Sequence, residues 1–234
     1  MKILGVIPAR GGSKGVPRKN VRLLDGKPLL AYTIEEADKC ASITDLVLST
    51  DDEEIRTIGL KFGAKAPFLR PSEFATDTAQ TVPVVQHAVL EMEEQMGYLY
   101  DIVVLLQPTT PLRLSIDIDN CIKMILNTDA DSIVSVVEVG AYHPLRMKHV
   151  VGDNILINYI DQGYEDLRPR QKLPPVYIRS GDLYVTRRNV ILKQNLMVGR
   201  DCRAYVIPPE RSVNIDTEFD FILAEYLVNK FKKK

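Results

Sequence analysis

Residues 7 to 20 read IPARGGSKGVPRKN and hold side chains suited to gripping a polyanion. Between residues 10 and 22 the cations Arg10, Lys14, Arg18, Lys19 and Arg22 occur without one Asp or Glu, in a chain whose net charge is only -1. Gly11, Gly12, Ser13 and Gly15 lie among them, directly after an apolar run. Backbone N–H groups and cationic side chains would therefore converge on one ligand. The pattern GxxxxGK[ST] is absent, and GxGxxG fails where Arg10 stands. Pro17 and the polar residues after it keep a helix from starting behind the glycines, so a helix dipole is not the main anchor. Phosphates would be held by the turn's N–H groups with Arg10, Lys14 and Lys19. The plain alternative is a solvated basic loop; its place at the end of a first strand argues against that.

Other positions carry weaker signals. Gln107 follows a run of apolar residues, where a buried amide needs partners that a ligand could supply. Arg70 ends an apolar stretch just before Pro71, and its alternative is a surface ion pair. His143 has no second His or Cys at metal spacing and reads as structural. Cys40, Cys121 and Cys202 form no C-x-x-C pair, which suits reduced thiols and a cytoplasmic location.

The elements that must position these residues alternate. ILGVIPA, DLVLST (45–50), DIVVLLQ (101–107) and DSIVSVVEV (131–139) read as strands buried on both faces of a parallel sheet. Helical spacing covers 28–39, 52–62, 82–96 and 115–127, with Asp51, Thr81 and Ser115 as capping types and Pro28 suited to a first turn. This is the pattern of an α/β, doubly wound sheet, whose ligands bind at the carboxyl ends of the strands. The alternation fails over 141–180, which reads as an inserted excursion of short strands and loops. Residues 1–140 and 181–234 form the main domain, closing with strands at DLYVT and CRAYVIP and a helix from about Asp216 to Phe231. The 234 residues, 45% hydrophobic and 26% charged, suffice for one such domain. Balanced charge argues against a nucleic-acid binder, and no apolar run is long enough to span a membrane. The terminal KFKKK reads as a solvated tail.

Four blocks in order then resemble one family. IPARGGSKGVPRKN, LRPSEFATDTAQT (69–81), LLQPTTPLR (105–113), and RPRQKLPPVYIRSGDLYV followed by SVNIDTEFD (212–220) are similar to the motifs of the acylneuraminate cytidylyltransferases. These enzymes activate sialic acids and related nonulosonates as CMP-sugars. The resemblance implies a Rossmann-like, mostly parallel sheet with a protruding arm, and CTP as co-substrate. It assigns Arg10, Ser13, Lys14 and Lys19 to the triphosphate, Asn20 to the nucleoside, and Arg70, Ala79 and Thr81 to cytosine and ribose. Arg10, Lys19, Arg170 and Asp216 would be the catalytic set.

A nonulosonate carries a carboxylate beside its anomeric carbon and needs cations of its own. Arg146, Arg170 and Arg179 are the candidates, since Arg forks suit carboxylates; Arg168 reads as solvated. Gln107 would touch base or sugar. Tyr184 would pack under the sugar, or is an ordinary strand tyrosine. Mg²⁺ or Mn²⁺ would sit at Asp216 and Asn214, where the family usually offers two Asp; Asp216 also reads as a helix N-cap. Asp182 stands where the family shows a small neutral residue, and would alter which sugar is accepted. The apolar excursion cannot bury its own face, which together with the resemblance implies a homodimer with the arm reaching the partner's site. A lid on its own site is the alternative. Cytidylyltransfer to KDO or pseudaminate, nucleotidyl transfer to a sugar 1-phosphate, and a non-catalytic nucleotide sensor remain competing functions.

Overall fold

The computed structural model describes residues 1–232; the last two lysines of the expected tail lie outside them. In chain order the elements are β1 (Ile3–Pro8), a small ribbon of β2 (Leu23–Leu24) and β3 (Lys27–Pro28), α1 (Leu29–Asp38), β4 (Asp45–Ser49) and α2 (Glu53–Lys61). Then come α3 (Thr81–Met96), β5 (Ile102–Leu106), α4 (Ser115–Leu126), β6 (Ser132–Glu138) and the hairpin β7 (Lys148–Val151) and β8 (Ile155–Asn158). The chain ends with β9 (Tyr177–Arg187), α5 (Arg188–Gln194), β10 (Cys202–Val206) and α6 (Glu218–Lys232).

The main sheet runs β10-β6-β9-β5-β1-β4. β1 pairs in parallel with β4 and β5, and β10 with β6. Only β9 is antiparallel, wedged between β5 and β6. Side chains alternate between two apolar layers, as period-two geometry requires. Ile3, Ile7, Ile102, Val104 and Leu106 face α1, α2 and α4 through Leu30, Ile34, Ile55, Ile118 and Ile122. Leu4, Val6, Val103 and Leu105 face α3 and α5 through Val85, Val89, Met92 and Ile191. Helices on both faces explain why these strands read as unbroken apolar runs.

A third cluster bears directly on function. Phe221, Ala224 and Val228 of α6 pack with Ile215 against Val16, Leu24, Leu29, Tyr32 and Leu112. The C-terminal helix thus docks on the loop that follows β1 and sets residues 214–216 beside residues 15–20. A Cβ on Gly15 would collide with the Asp216 carbonyl, so only glycine permits this approach.

Several sequence expectations are corrected. The cap of α2 is Asp52, not Asp51, because its carboxylate accepts from the Glu54 and Ile55 N–H groups at 3.0 Å each. Thr81 and Ser115 are the first helical residues of α3 and α4, behind Gln80 and Leu114. The return strand begins at Tyr177, inside the expected excursion, since residues 177–179 already pair with β6. The short helix α5 was not foreseen; it lacks the length for a visible period.

Candidate active site

The carboxyl ends of β1 and β5 open onto a cavity of about 400 Å³. The loop after β1 contributes Arg10, Ser13, Lys14, Lys19 and Asn20 to its wall. Asn20 is buried; its Nδ2 donates to the Arg10 carbonyl at 2.9 Å, and its own carbonyl accepts from Leu30 at 2.9 Å. The first turn of α1 thereby fixes the loop. Lys19 is nearly covered; its Nζ donates to the Ile215 carbonyl at 2.5 Å and lies 3.4 Å from Asp216 Oδ1. The acid-free basic stretch is divided by orientation. Arg18 turns away to pair with Asp52 at 2.5 Å and with Glu54, while Arg22 pairs with Glu218 at 2.6 Å over the Phe221 ring. Arg10, Lys14 and Lys19 are the cations left on the cavity wall.

The wall continues with Arg70, Phe74, Thr76, Asp77 and Ala79 from the segment leading into α3, and with Thr81 and Val84 from its first turn. Arg70 is 5% exposed. Its Nε donates to Ser49 Oγ at 3.0 Å, its Nη2 to the Ser49 carbonyl, and its Nη1 to the Phe74 carbonyl at 3.4 Å. Burial pushes this guanidinium down to about 10, so it keeps its charge at neutral pH. Asp77, which the residue pattern did not single out, pairs with Arg10 Nη1 at 2.8 Å and with Lys14.

Gln107, Pro108 and Thr109 close the cavity from the end of β5. They rest on an ion pair buried beneath them. Arg113 Nε meets Asp182 Oδ1 at 2.7 Å, both side chains being 1% exposed. Arg113 Nη2 also donates to the carbonyls of Gln107 and Asp182, each at 2.7 Å, and to Thr110 Oγ1 at 2.6 Å. Burial pushes the Asp182 carboxyl up and the Arg113 guanidinium down, and each charge offsets that cost for the other. Asp182 thus stands off the cavity wall and braces the strand-end motif, rather than presenting a free carboxylate at the site as the sequence reading expects. Arg113 escaped notice as the last letter of an apolar, proline-rich block.

Asp216 also differs from expectation. It does not cap α6: the Thr217 N–H donates to Asp220 Oδ2 at 2.8 Å, and Thr217 Oγ1 accepts from the Asp220 N–H at 3.3 Å. That reciprocal pair caps the helix and frees the Asp216 carboxylate for the cavity. Asn214 Nδ2 donates to Asp216 Oδ2 at 2.9 Å, while Asn214 Oδ1 is buried and has no hydrogen-bond partner. No group of three or more His, Cys, Asp or Glu that could hold a metal occurs among the described residues.

The expected acceptor residues lie elsewhere. Arg146 Nη2 donates to the Arg168 carbonyl at 2.8 Å, Arg168 pairs with Asp166, and Arg170 lies against Gly140. Arg179 lines a separate cavity of about 180 Å³ beside Val136 and Cys202. Tyr184 is buried in the second core layer. His143 is structural: Nδ1 accepts from Leu145 N–H at 3.2 Å and Nε2 bonds the Pro174 carbonyl at 3.0 Å.

A cationic cleft at strand carboxyl ends, in a sheet covered on both faces, is the architecture of an α/β nucleotide-binding protein. The chain belongs to the cytidylyltransferase family, which it matches over residues 4–218; it is thus a nucleotidyltransferase. It is 32% identical to the CMP-N,N'-diacetyllegionaminic acid synthase of Legionella pneumophila, over 97% of each chain. It is likewise 32% identical to a pseudaminic acid cytidylyltransferase of Campylobacter jejuni, covering 97% of this chain and 96% of the other. In fold it is similar to a CMP:2-keto-3-deoxy-manno-octonic acid synthetase solved in complex with CTP, with a TM-score of 0.72 at 19% identity, over 99% of this chain and 100% of that one.

Proposed function

We propose that this protein transfers CMP from CTP to the anomeric hydroxyl of a nonulosonic acid. The hydroxyl oxygen bonds to the α-phosphorus, the bond from that phosphorus to the bridging oxygen breaks, and pyrophosphate leaves while the hydroxyl proton passes to solvent. The observation that carries the reading is the cavity of about 400 Å³ whose wall gathers Arg10, Lys14 and Lys19 with Arg70, Ala79 and Thr81. The relatives named above supply the class of sugar.

Arg10, Lys14 and Lys19, with Ser13 and the N–H groups of the turn, hold the triphosphate and offset the charge that builds on departing pyrophosphate. Asn20 keeps the Arg10 backbone in place. Ala79 and Thr81 face the nucleoside and Arg70 fixes their segment. Gln107 sits where base and sugar meet. Asp216 and the unpartnered Asn214 Oδ1 fit a divalent ion such as Mg²⁺ or Mn²⁺, which binds through one or two protein oxygens plus substrate phosphates. When bound, such an ion neutralises phosphate charge.

The acceptor carboxylate is assigned to Arg170 and Arg146; Arg179, on a separate cavity, and Tyr184, buried in the core, are weaker candidates. Residues 141–176 form a dimerisation arm, and Arg170 serves the partner's site. In support, Val150, Ile155, Leu156, Ile157 and Tyr159 of the hairpin are 46–65% exposed, an apolar face that a second copy would cover. No helix among the described residues is long and apolar enough to cross a membrane; we assign the enzyme to the cytoplasm.

The test is pyrophosphate release with CTP and Mg²⁺ against legionaminate, pseudaminate, N-acetylneuraminate and KDO. Turnover with a nonulosonate is the expected result. Turnover with N-acetylglucosamine 1-phosphate alone would make the enzyme a sugar 1-phosphate nucleotidyltransferase, and CTP binding without any release would make it a sensor.

A further inference from the structure

Asp77 has no part in the chemistry just described, yet it holds two of the cations assigned to the triphosphate. Arg10 Nη1 lies 2.8 Å from its Oδ1, and Lys14 Nζ is on its Oδ2. No other carboxylate pairs with either cation among the described residues. The pairing is not a fold determinant. The three side chains are 30%, 79% and 42% exposed, and ion pairs so open to water contribute little to stability. It also joins distant parts of the chain: Asp77 belongs to the irregular segment between Ala75 and Gln80, which lines the cavity together with Thr76 and Ala79. The bonds from Lys14 and Arg10 hold its carboxyl below the usual carboxylate range, so it is ionised at neutral pH.

We propose that Asp77 is an internal competitor for the phosphate site: its carboxylate occupies Arg10 and Lys14 and must be displaced by any phosphate chain that binds there. This rests on the triphosphate reading above. A competitor that every ligand must displace weakens all such ligands by one common factor. It therefore lowers the affinity for pyrophosphate and for CTP alike. CTP retains the separate contacts of its base and ribose, whereas pyrophosphate has none. The consequence falls on the product, whose departure the returning carboxylate hastens.

The experiment is calorimetric titration of wild type, Asp77→Asn and Glu73→Gln with pyrophosphate, CTP and cytidine, each without acceptor sugar. Glu73 is exposed in the turn just before this segment and makes no ion pair with these cations, so its variant controls for net charge. Asp77→Asn should tighten pyrophosphate and CTP equally, by about fivefold at low salt, the scale of two exposed ion pairs, and less at high salt. Cytidine affinity should not move, and Glu73→Gln should match wild type. Unchanged or weaker pyrophosphate binding in Asp77→Asn overturns the proposal, as does an equal gain in Glu73→Gln. If wild type binds neither CTP nor pyrophosphate, the triphosphate reading itself fails, a result distinct from these. Circular dichroism confirms that each variant is folded.

Discussion

The cavity and the arm are held in opposite ways. Around the cavity three wall residues rest on buried anchors: the Arg10 backbone on Asn20, Arg70 on Ser49, and Gln107 on the Arg113–Asp182 pair. In the arm, by contrast, β7 and β8 make a two-stranded sheet of their own. The side chains of the arm are held by ion pairs such as Lys148 with Glu165 and Arg168 with Asp166. An isolated hairpin is marginal in water. A single chain thus prearranges the cavity, while the arm, to which acceptor binding is assigned above as a proposal, lacks a scaffold until something covers it. Stability and catalysis should therefore respond separately to changes in each region.

The largest effect is expected at the buried brace. Arg113→Ala leaves Asp182 charged and unpaired, a change that costs about 3–5 kcal/mol. Chemical denaturation should report that loss. A variant as stable as wild type would mean that the cavity does not depend on its anchors. Next, Arg10→Ala and Lys19→Ala should each lower turnover by at least about tenfold with unchanged denaturation midpoints, because charge-assisted bonds to phosphate are worth about 1.5–3 kcal/mol. Wild-type turnover in both would remove the loop from the mechanism.

The third test addresses the arm. Arg10→Ala and Arg170→Ala, each inactive alone, should recover to about a quarter of wild-type activity after subunit exchange, since about half the dimers are mixed and each mixed dimer keeps one intact site. A monomer at assay concentration, or no recovery after proven exchange, would place Arg170 in its own chain's site or in none. The smallest effect belongs to Asn214→Asp. An added carboxylate beside Asp216 should tighten Mg²⁺ a few-fold, as hard cations favour charged oxygen ligands. Mn²⁺ titration followed by electron paramagnetic resonance measures it without turnover, and weaker binding would exclude Asn214 from the ion.

The same contrast sets what the sequence could disclose. Strands and helices were legible because burial on both faces leaves unbroken apolar runs, and Arg10, Lys14 and Lys19 because a charge-free-of-acid loop stands out in a neutral chain. Local spacing does not reveal long-range partners. Arg18 and Arg22 look equivalent to Lys19 until α2 and α6 supply Asp52, Glu54 and Glu218 to turn them away. Asp182 reads as a sugar-site residue only through its departure from the family pattern; its partner Arg113, far back in the chain, gives no local signal of the ion pair. The cap of α6 is the opposite case: Thr217 and Asp220 stand at the T-x-x-D spacing of a capping box, a local signal that outranks the Asp216 beside it. The antiparallel sense of β9 is likewise invisible, since an apolar run does not record direction.

That strand has a consequence for how the protein is made. Val104 lies opposite Val185, and Val185 lies opposite Ile133, so the centre of the sheet is joined by a segment translated after the arm. While the ribosome is still adding residues 141–176, β5 and β6 exist without the neighbour that joins them. Each carries an open ladder of backbone groups beside Val and Ile side chains, a surface that invites association with other nascent chains. Pairing across such sequence separations also slows closure of the sheet. The demand for chaperone protection should peak at this stage of synthesis and fall once Arg187 has cleared the exit tunnel.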